Sequence, residues 1–126
     1  MPQYMLIALA SAEVVAEAAN MEISPEMIQA IIEKYNGWTA KLEESGRLAG
    51  INKLRDEGGR RISGFGENQV VTDGPYAETK EVIGGYWIIN AEDYDEAVEL
   101  SRDCPQLEFG GTIEVREVED LSTLGS

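Results

Sequence analysis

The chain has 126 residues, of which 43% are apolar, and its length is that of one domain. Its mass of 13.8 kDa is enough to bury roughly two-thirds of the unfolded chain's surface without a stabilising disulfide, which the single Cys cannot form. The net charge of −14 argues against a nucleic-acid partner or an anionic membrane surface, because both are bound through Lys and Arg.

The sequence contains no His, which excludes Ser-His and Cys-His nucleophilic systems and most zinc and iron sites. We therefore expect no metal and no cofactor. The segment from Met1 to Ala10 is apolar but lacks the basic lead-in of a signal peptide, and no apolar run reaches the roughly 20 residues that span a bilayer. These features predict a cytoplasmic protein without a membrane partner.

The first predicted element is a strand from Gln3 to Leu9. Side chains on both of its faces are apolar, so we expect both faces of this strand to be covered. The segment from Ser11 to Ile23 is rich in Ala and Glu, and its periodicity is weak. It is interpreted as a loop, with at most a turn of helix.

A helix is predicted from about residue 24 to 45. It begins at Ser24-Pro25, where a capping hydroxyl precedes a proline in the first turn, and Gly46 ends it. Apolar side chains then recur at spacings of three and four, as on one face of a helix: Ile28, Ile31, Tyr35, Trp38 and Leu42.

The middle of the chain favours strands. Leu48 to Leu54 is a short, extended stretch, and Arg60 to Ser63 pairs with Gln69 to Thr72 around a turn at 64–68. Gly84 to Ala91 is a strong strand that is again apolar on both faces: Tyr86 and Ile88 on one, Trp87 and Ile89 on the other.

The last elements are a helix and a strand. Asp93 caps the helix and forms a capping box with Glu96, and the helix ends at Cys104-Pro105. Its expected inner face consists of Tyr94, Ala97, Val98 and Ser101. Cys104 is interpreted as a small buried apolar residue.

Thr112 to Val118 alternates as a half-exposed strand does. We treat residues 1–126 as a single domain, with the tail after about residue 119 loosely ordered.

This order predicts an α+β fold, a ferredoxin-like antiparallel sheet with an extra strand and two helices on one face. Two helices cover only one face of such a sheet, yet two strands are apolar on both faces. A second copy of the same sheet is the simplest cover, so the sequence predicts a homodimer.

The densest polar motif runs from Val71 to Glu81. Its Asp-Gly-Pro turn leaves a strand and presents a carboxylate, a phenol and an amine on one loop, and Gly84-Gly85 allows close backbone approach where the next strand begins. One interpretation is a capped connection in which Asp73 binds nearby backbone amides. The other is a loop that lines a ligand pocket.

The run DGPYAETKE from Asp73 to Glu81, followed by Gly84-Gly85-Tyr86, resembles the signature of the DGPF-type proteins of the YCII-related family. The fourth residue of that signature is usually Phe and is Tyr76 here. Further matches are Gln3–Ile7, the helix start at Ser24-Pro25-Glu26, the Asp93 helix and the segment Gly110–Arg116.

The resemblance implies a dimeric α+β barrel of two ferredoxin-like sheets packed face to face. Some YCII-type relatives carry a His–Asp pair suggested to be catalytic; this chain has no His, and only Asp73 resembles the acid. Genes of DGPF-type proteins often lie near those of extracytoplasmic-function sigma factors, which suggests a regulatory context. A fold alone does not fix a function.

Three functional hypotheses follow. The first is a homodimeric module that binds a small organic ligand. The second is a cofactor-independent isomerase or hydrolase, with Asp73 as general acid or base, Tyr76 as an oxyanion donor and Lys80 assisting. The third is a protein-interaction adaptor linked to sigma-factor regulation.

Candidate ligand-binding residues are Glu78 and Thr79 on the motif, and Arg60 and Arg61 in the basic cluster that also holds Lys53 and Arg55. This cluster is suited to a carboxylate or a phosphate. Its alternative interpretation is a solvated hairpin balanced by neighbouring carboxylates.

Overall fold

The structure is a computed structural model, which describes residues 1–55, 59–73 and 81–124. The strands are β1 (Gln3–Ser11), β2 (Leu48–Lys53), β3 (Arg60–Ser63), β4 (Val70–Asp73), β5 (Glu81–Asn90) and β6 (Thr112–Glu117). The helices are α1 (Ala12–Asn20), α2 (Pro25–Glu44), α3 (Tyr94–Ser101) and α4 (Pro105–Glu108), and 3-10 turns occupy Gly66–Asn68 and Leu121–Thr123.

Four strands form the main antiparallel sheet in the order β2-β5-β1-β6. Because β1 and β5 are central and β2 and β6 lie at the edges, this is the ferredoxin-like order, and the predicted fold class is confirmed. Within the described residues, the two additional strands, β3 and β4, pair only with each other, as a hairpin in which Ile62 lies opposite Val71. The extra strand expected in the main sheet is therefore part of a separate ribbon.

Helix α2 begins and ends where its sequence signals indicate. The Ser24 hydroxyl accepts a hydrogen bond from the Met27 amide at 3.2 Å, and Pro25 occupies the first turn. The chain leaves the helix through Gly46, whose φ of 72° suits a residue without a side chain. Trp38 and Leu42 lie buried on its inner face.

Helix α1 corrects the interpretation of Ser11 to Ile23 as a loop, since nine residues of that segment are helical. The Ser11 hydroxyl accepts a hydrogen bond from the Val14 amide at 3.1 Å, which is the N-cap arrangement. The high helix propensity of Ala and Glu outweighs the weak apolar periodicity.

The predicted Asp93 N-cap of helix α3 is confirmed, because the Asp93 carboxylate accepts from the Glu96 amide at 2.8 Å. The predicted capping box is not formed, since the Glu96 carboxylate accepts from the Glu92 amide at 3.1 Å. Its expected inner face is half right. Ala97 and Ser101 are buried, whereas Tyr94 and Val98 are exposed. The helix ends at Ser101, and Cys104 caps the short helix α4.

The core lies on one face of the main sheet, between the strands and the helices. Its buried members are Tyr4, Leu6, Ala8, Trp38, Leu42, Trp87, Ile89, Ala91, Ala97 and Cys104. We call the opposite side of the sheet the open face. Its central side chains are only half-buried and do not belong to this core: Met5, Ile7, Leu9, Tyr86 and Ile88.

Candidate functional site

Asp73, the predicted general acid or base, is the last residue of β4. Its carboxylate lies 2.7 Å from a guanidinium nitrogen of Arg60, the residue opposite it in the hairpin. The two side chains are 87% and 70% exposed, respectively. The structure therefore brings Asp73 and Arg60 together as a solvated ion pair, and such pairs stabilise a fold by less than about 1 kcal/mol.

Arg61 lies on the other face of the same hairpin, opposite Thr72, and is exposed. The remaining predicted site residues lie outside the described residues: Tyr76, Glu78, Thr79 and Lys80. Their assignment as catalytic or ligand-binding groups stays a prediction.

Four aromatic side chains lie between the main sheet and the helices, and we call them the aromatic layer: Tyr35, Trp38, Trp87 and Phe109. Trp87 on β5 meets Trp38 edge to face at 5.1 Å between ring centroids and lies nearly parallel to Tyr35 at 6.3 Å. Phe109 follows Tyr35 at 6.3 Å and is 41% exposed. The layer thus runs from the buried core to the surface, with offset and edge contacts typical of aromatic rings.

The two indoles of the layer differ in one respect. Trp38 donates its Nε1 hydrogen to the Leu100 carbonyl at 3.2 Å. Trp87 is only 6% exposed, and its Nε1 meets no hydrogen-bond acceptor among the residues that the structure describes. A buried donor without an acceptor costs about 1–3 kcal/mol, so few such groups persist in folded proteins.

A polar relay borders the same layer. The Tyr35 hydroxyl donates to the Gln106 side-chain oxygen at 3.1 Å, and the Gln106 amide nitrogen donates to the Leu9 carbonyl at 3.0 Å. A Cβ at Gly111 would collide with the Gln106 side chain, so a glycine there leaves room for it. The relay therefore fixes Tyr35 against the end of β1.

Burial raises the pKa of Tyr35 to about 12 and that of Cys104 to about 11. For Cys104, a hydrogen bond from the Gln106 backbone amide lowers the pKa in part without offsetting the burial. Both groups are protonated at neutral pH, so the Tyr35 hydroxyl acts as a donor and the Cys104 thiol is inert. The prediction that Cys104 is a buried apolar residue is confirmed, since the residue is 2% exposed.

Where the aromatic layer reaches the surface, charged side chains surround it. The Lys34 ammonium lies 5.5 Å from the centre of the Phe109 ring and pairs with Glu108. A groove of about 320 Å³ opens beside this pair, between α2 and the start of α4, and Trp38 forms part of its wall. The layer therefore has one polar, accessible edge.

Sequence reasoning placed Tyr35 and Trp38 on the apolar face of a helix, but it did not identify Trp87 or Gln106 as functional candidates. The alternation of β5 indicates a buried Trp87; it does not show whether an acceptor reaches the indole. That depends on how helix and sheet approach each other in three dimensions.

In residues 1–55, 59–73 and 81–124, no three His, Cys, Asp or Glu side chains converge as a metal-binding set. Over the same part of the chain, no helix has the length and apolarity needed to cross a bilayer.

The sheet order and its one-sided helical layer define an α+β protein of ferredoxin-like topology. The family profile of the YCII-related domain matches residues 3–122, so the chain belongs to the YCII-related domain family. It is 28% identical over 102 residues to an uncharacterized protein of Rhizobium meliloti (strain 1021), covering 79% of this chain and 82% of that protein.

Proposed function

We propose that this protein is a homodimeric module that binds a small organic molecule at the aromatic layer. The observation that carries the proposal is the buried Trp87 Nε1, which meets no acceptor in the described part of the chain. A ligand oxygen at this position would satisfy the donor and remove the cost of burying it unpaired.

The surroundings of Trp87 limit the chemistry of the ligand. Tyr35 and Trp38 both contact the Trp87 ring, so the donor has aromatic surroundings that favour a planar, largely apolar ligand. The indole donor requires a carbonyl or carboxylate oxygen on that ring. Lys34, at the accessible edge, already pairs with Glu108, so the charge of this edge does not distinguish a carboxylate from a neutral carbonyl group. The proposed ligand is therefore a small aromatic acid or a related carbonyl compound.

The open face supports the homodimeric part of the proposal. Met5 lies opposite Ile88, and Ile7 lies opposite Tyr86, so apolar side chains occupy the middle of this face. Polar side chains flank them on the edge strands: Glu114 and Arg116 on β6, and Asn52 on β2. An apolar centre with a polar rim is typical of a protein interface, and two copies of this face would bury the same residues by two-fold symmetry.

Asp73 gains no support as a catalytic group, since its described partner is Arg60 and its side chain is exposed. We therefore propose no second function.

Thermal unfolding in the presence of benzoate, benzamide and salicylate tests the ligand proposal. Binding to the folded state raises Tm, by an amount equivalent to about 2.7 kcal/mol when the ligand is at one hundred times its Kd. We expect at least one of these probes to raise the Tm of the wild type. Trp87→Phe keeps a ring at the position but removes the donor. This variant should therefore need at least a tenfold higher probe concentration for the same rise in Tm.

Tyr4→Phe is the matched control, because Tyr4 is also a buried aromatic residue of the helix-covered face, and it pairs with Tyr94 rather than with the aromatic layer. It should respond to the probe as the wild type does. A wild-type Tm that no probe changes at millimolar concentration, or an equal response in Trp87→Phe, would contradict the proposal.

A further inference from the structure

The hairpin formed by β3 and β4, which follows β2 and precedes β5 in the chain, is solvent-exposed along its whole described length. Every residue from 59 to 73 is exposed, including four large apolar side chains: Ile62 (66%), Phe65 (92%), Val70 (51%) and Val71 (58%). We call residues 60–73 the arm. An isolated two-stranded hairpin is at best marginally stable in water, so the arm requires an apolar surface to pack against.

The register of the arm places two of its four apolar residues, Ile62 and Val71, on one side of the ribbon, and Val70 on the other. Ile62 lies opposite Val71 on one side of the ribbon, next to the Arg60–Asp73 ion pair, and Phe65 lies at the turn. A pair of β-branched side chains flanked by an ion pair gives this side an apolar patch with a charged border.

Charge favours a second copy of this chain as the partner. The arm contains two Arg and two acidic residues, Glu67 and Asp73, and is therefore neutral. The other 112 residues contain eight Lys or Arg and 22 Asp or Glu, and so carry the entire net charge of −14. Because the arm is neutral, it can approach another copy of this acidic protein without net like-charge repulsion.

The position of the arm agrees with that partner. It leaves the sheet after Lys53, which pairs with Gly85 on β5, and the Leu54 amide donates to the Gly84 carbonyl at 2.9 Å. The arm is thus rooted at one end of the sheet whose open face we assign to the dimer contact. We propose that the arm extends across the second subunit and clasps it; this inference rests on the proposed homodimer.

Sedimentation equilibrium of an Ile62→Thr/Val71→Thr variant tests the clasp. Thr keeps the β propensity of both positions and removes apolar surface, so the hairpin itself is retained. We expect the dimer Kd to rise at least tenfold. Ile32→Thr/Val98→Thr makes the same chemical change on exposed faces of α2 and α3 and should leave Kd within twofold of the wild type.

Phe65→Ser is an independent variant that leaves both strands of the arm unchanged, and it should also raise Kd. Hydrogen exchange gives a second measurement: the amides of β3 and β4 should be protected in the dimer and exchange at least tenfold faster at concentrations where the monomer prevails.

A wild-type dimer whose Kd is insensitive to the arm variants would overturn the clasp and leave the homodimer intact. A wild type that stays monomeric at all concentrations would overturn both. Arm amides that are protected in the monomer would overturn the clasp alone. If the arm variants dissociate the dimer but Ile7→Lys on the open face does not, the clasp stands and the open-face contact is wrong.

Discussion

At the residue scale, two ionisable groups, the partly buried Tyr35 of the aromatic layer and the buried Cys104, make stability depend on pH in the alkaline range. Burial raises the pKa of Tyr35 to about 12 and that of Cys104 to about 11, from ordinary values of 10.0 and 9.0. Both groups ionise more readily in the unfolded chain than in the native protein. Their contribution to stability is therefore complete below pH 9 and is lost as the pH rises toward 12.

We accordingly expect the free energy of unfolding in urea to fall between pH 9 and pH 11. A Tyr35→Phe/Cys104→Ala variant lacks both groups, so its stability should fall less steeply over the same range, whatever its absolute stability. The single variants Tyr35→Phe and Cys104→Ala each remove one of the two groups and should show slopes between those of the wild type and the double variant. Equal slopes for the double variant and the wild type would show that neither ionisation is coupled to folding.

The candidate site marks the limit of sequence reasoning at this scale. The Asp-Gly-Pro motif predicts a turn with a carboxylate near it, and Asp73 does end β4. Whether such a carboxylate faces a cleft or the solvent depends on where the whole hairpin lies, and here Asp73 is exposed beside Arg60. Whether an acceptor reaches the Nε1 donor of Trp87 likewise depends on how the helices pack on the sheet. The apolar periodicity of the sequence does not predict this packing.

At the element scale, the two adjacent glycines of β5 have different roles. A Cβ at Gly85 would lie 2.7 Å from the Asn52 carbonyl oxygen and 3.2 Å from the Lys53 Cα, so Gly85 lets β2 approach closely. Gly84 has open space around it and lies where the pairing of β1 and β5 shifts register. The predicted close backbone approach is therefore confirmed at Gly85 and not at Gly84.

Gly85→Ala should destabilise the protein by about 1–3 kcal/mol, because the backbone of β2 has to move away from the new methyl group. Gly84→Ala adds the same methyl group in open space and should change stability by less than about 1 kcal/mol. Urea unfolding measures both. Hydrogen exchange should show faster exchange of the β2 amides in Gly85→Ala only, and equal effects of the two variants would refute the role assigned to Gly85.

Most elements follow from local patterns, because capping residues, alternation and turn glycines act over a few residues. The N-cap and proline of α2 and the Asp93 cap of α3 are examples that the structure confirms. Helix α1 was missed because its apolar stripe is weak, although Ser11 followed by Ala and Glu was an available signal. The separation of the arm from the main sheet is a long-range property that alternation within each strand does not determine.

At the scale of the whole molecule, burial alternates along the central strands and leaves one face of the sheet incompletely covered. In β1, Tyr4, Leu6 and Ala8 are buried, while the side chains between them are half-buried. In the homodimer that we propose, this apolar area would be covered only on association, so the free energy of covering it would link folding to association. The stability of the protein should therefore depend on its own concentration.

For a chain that unfolds as it dissociates, a tenfold rise in protein concentration contributes about 1.4 kcal/mol per dimer. For a dimer of this size, that corresponds to a rise in Tm of about 3 °C. We expect differential scanning calorimetry to show this dependence for the wild type. Ile7→Lys places a charge in the centre of the open face, so its Tm should be lower and independent of concentration.

Ile32→Lys is the matched control, because Ile32 is 44% exposed on α2 and lies away from the open face. It introduces the same charge and should keep the concentration dependence of the wild type. A wild-type Tm that stays constant over two decades of concentration would mean that folding is complete in the monomer. In that case the open face is solvated in the native protein, and its apolar residues have a role other than self-association.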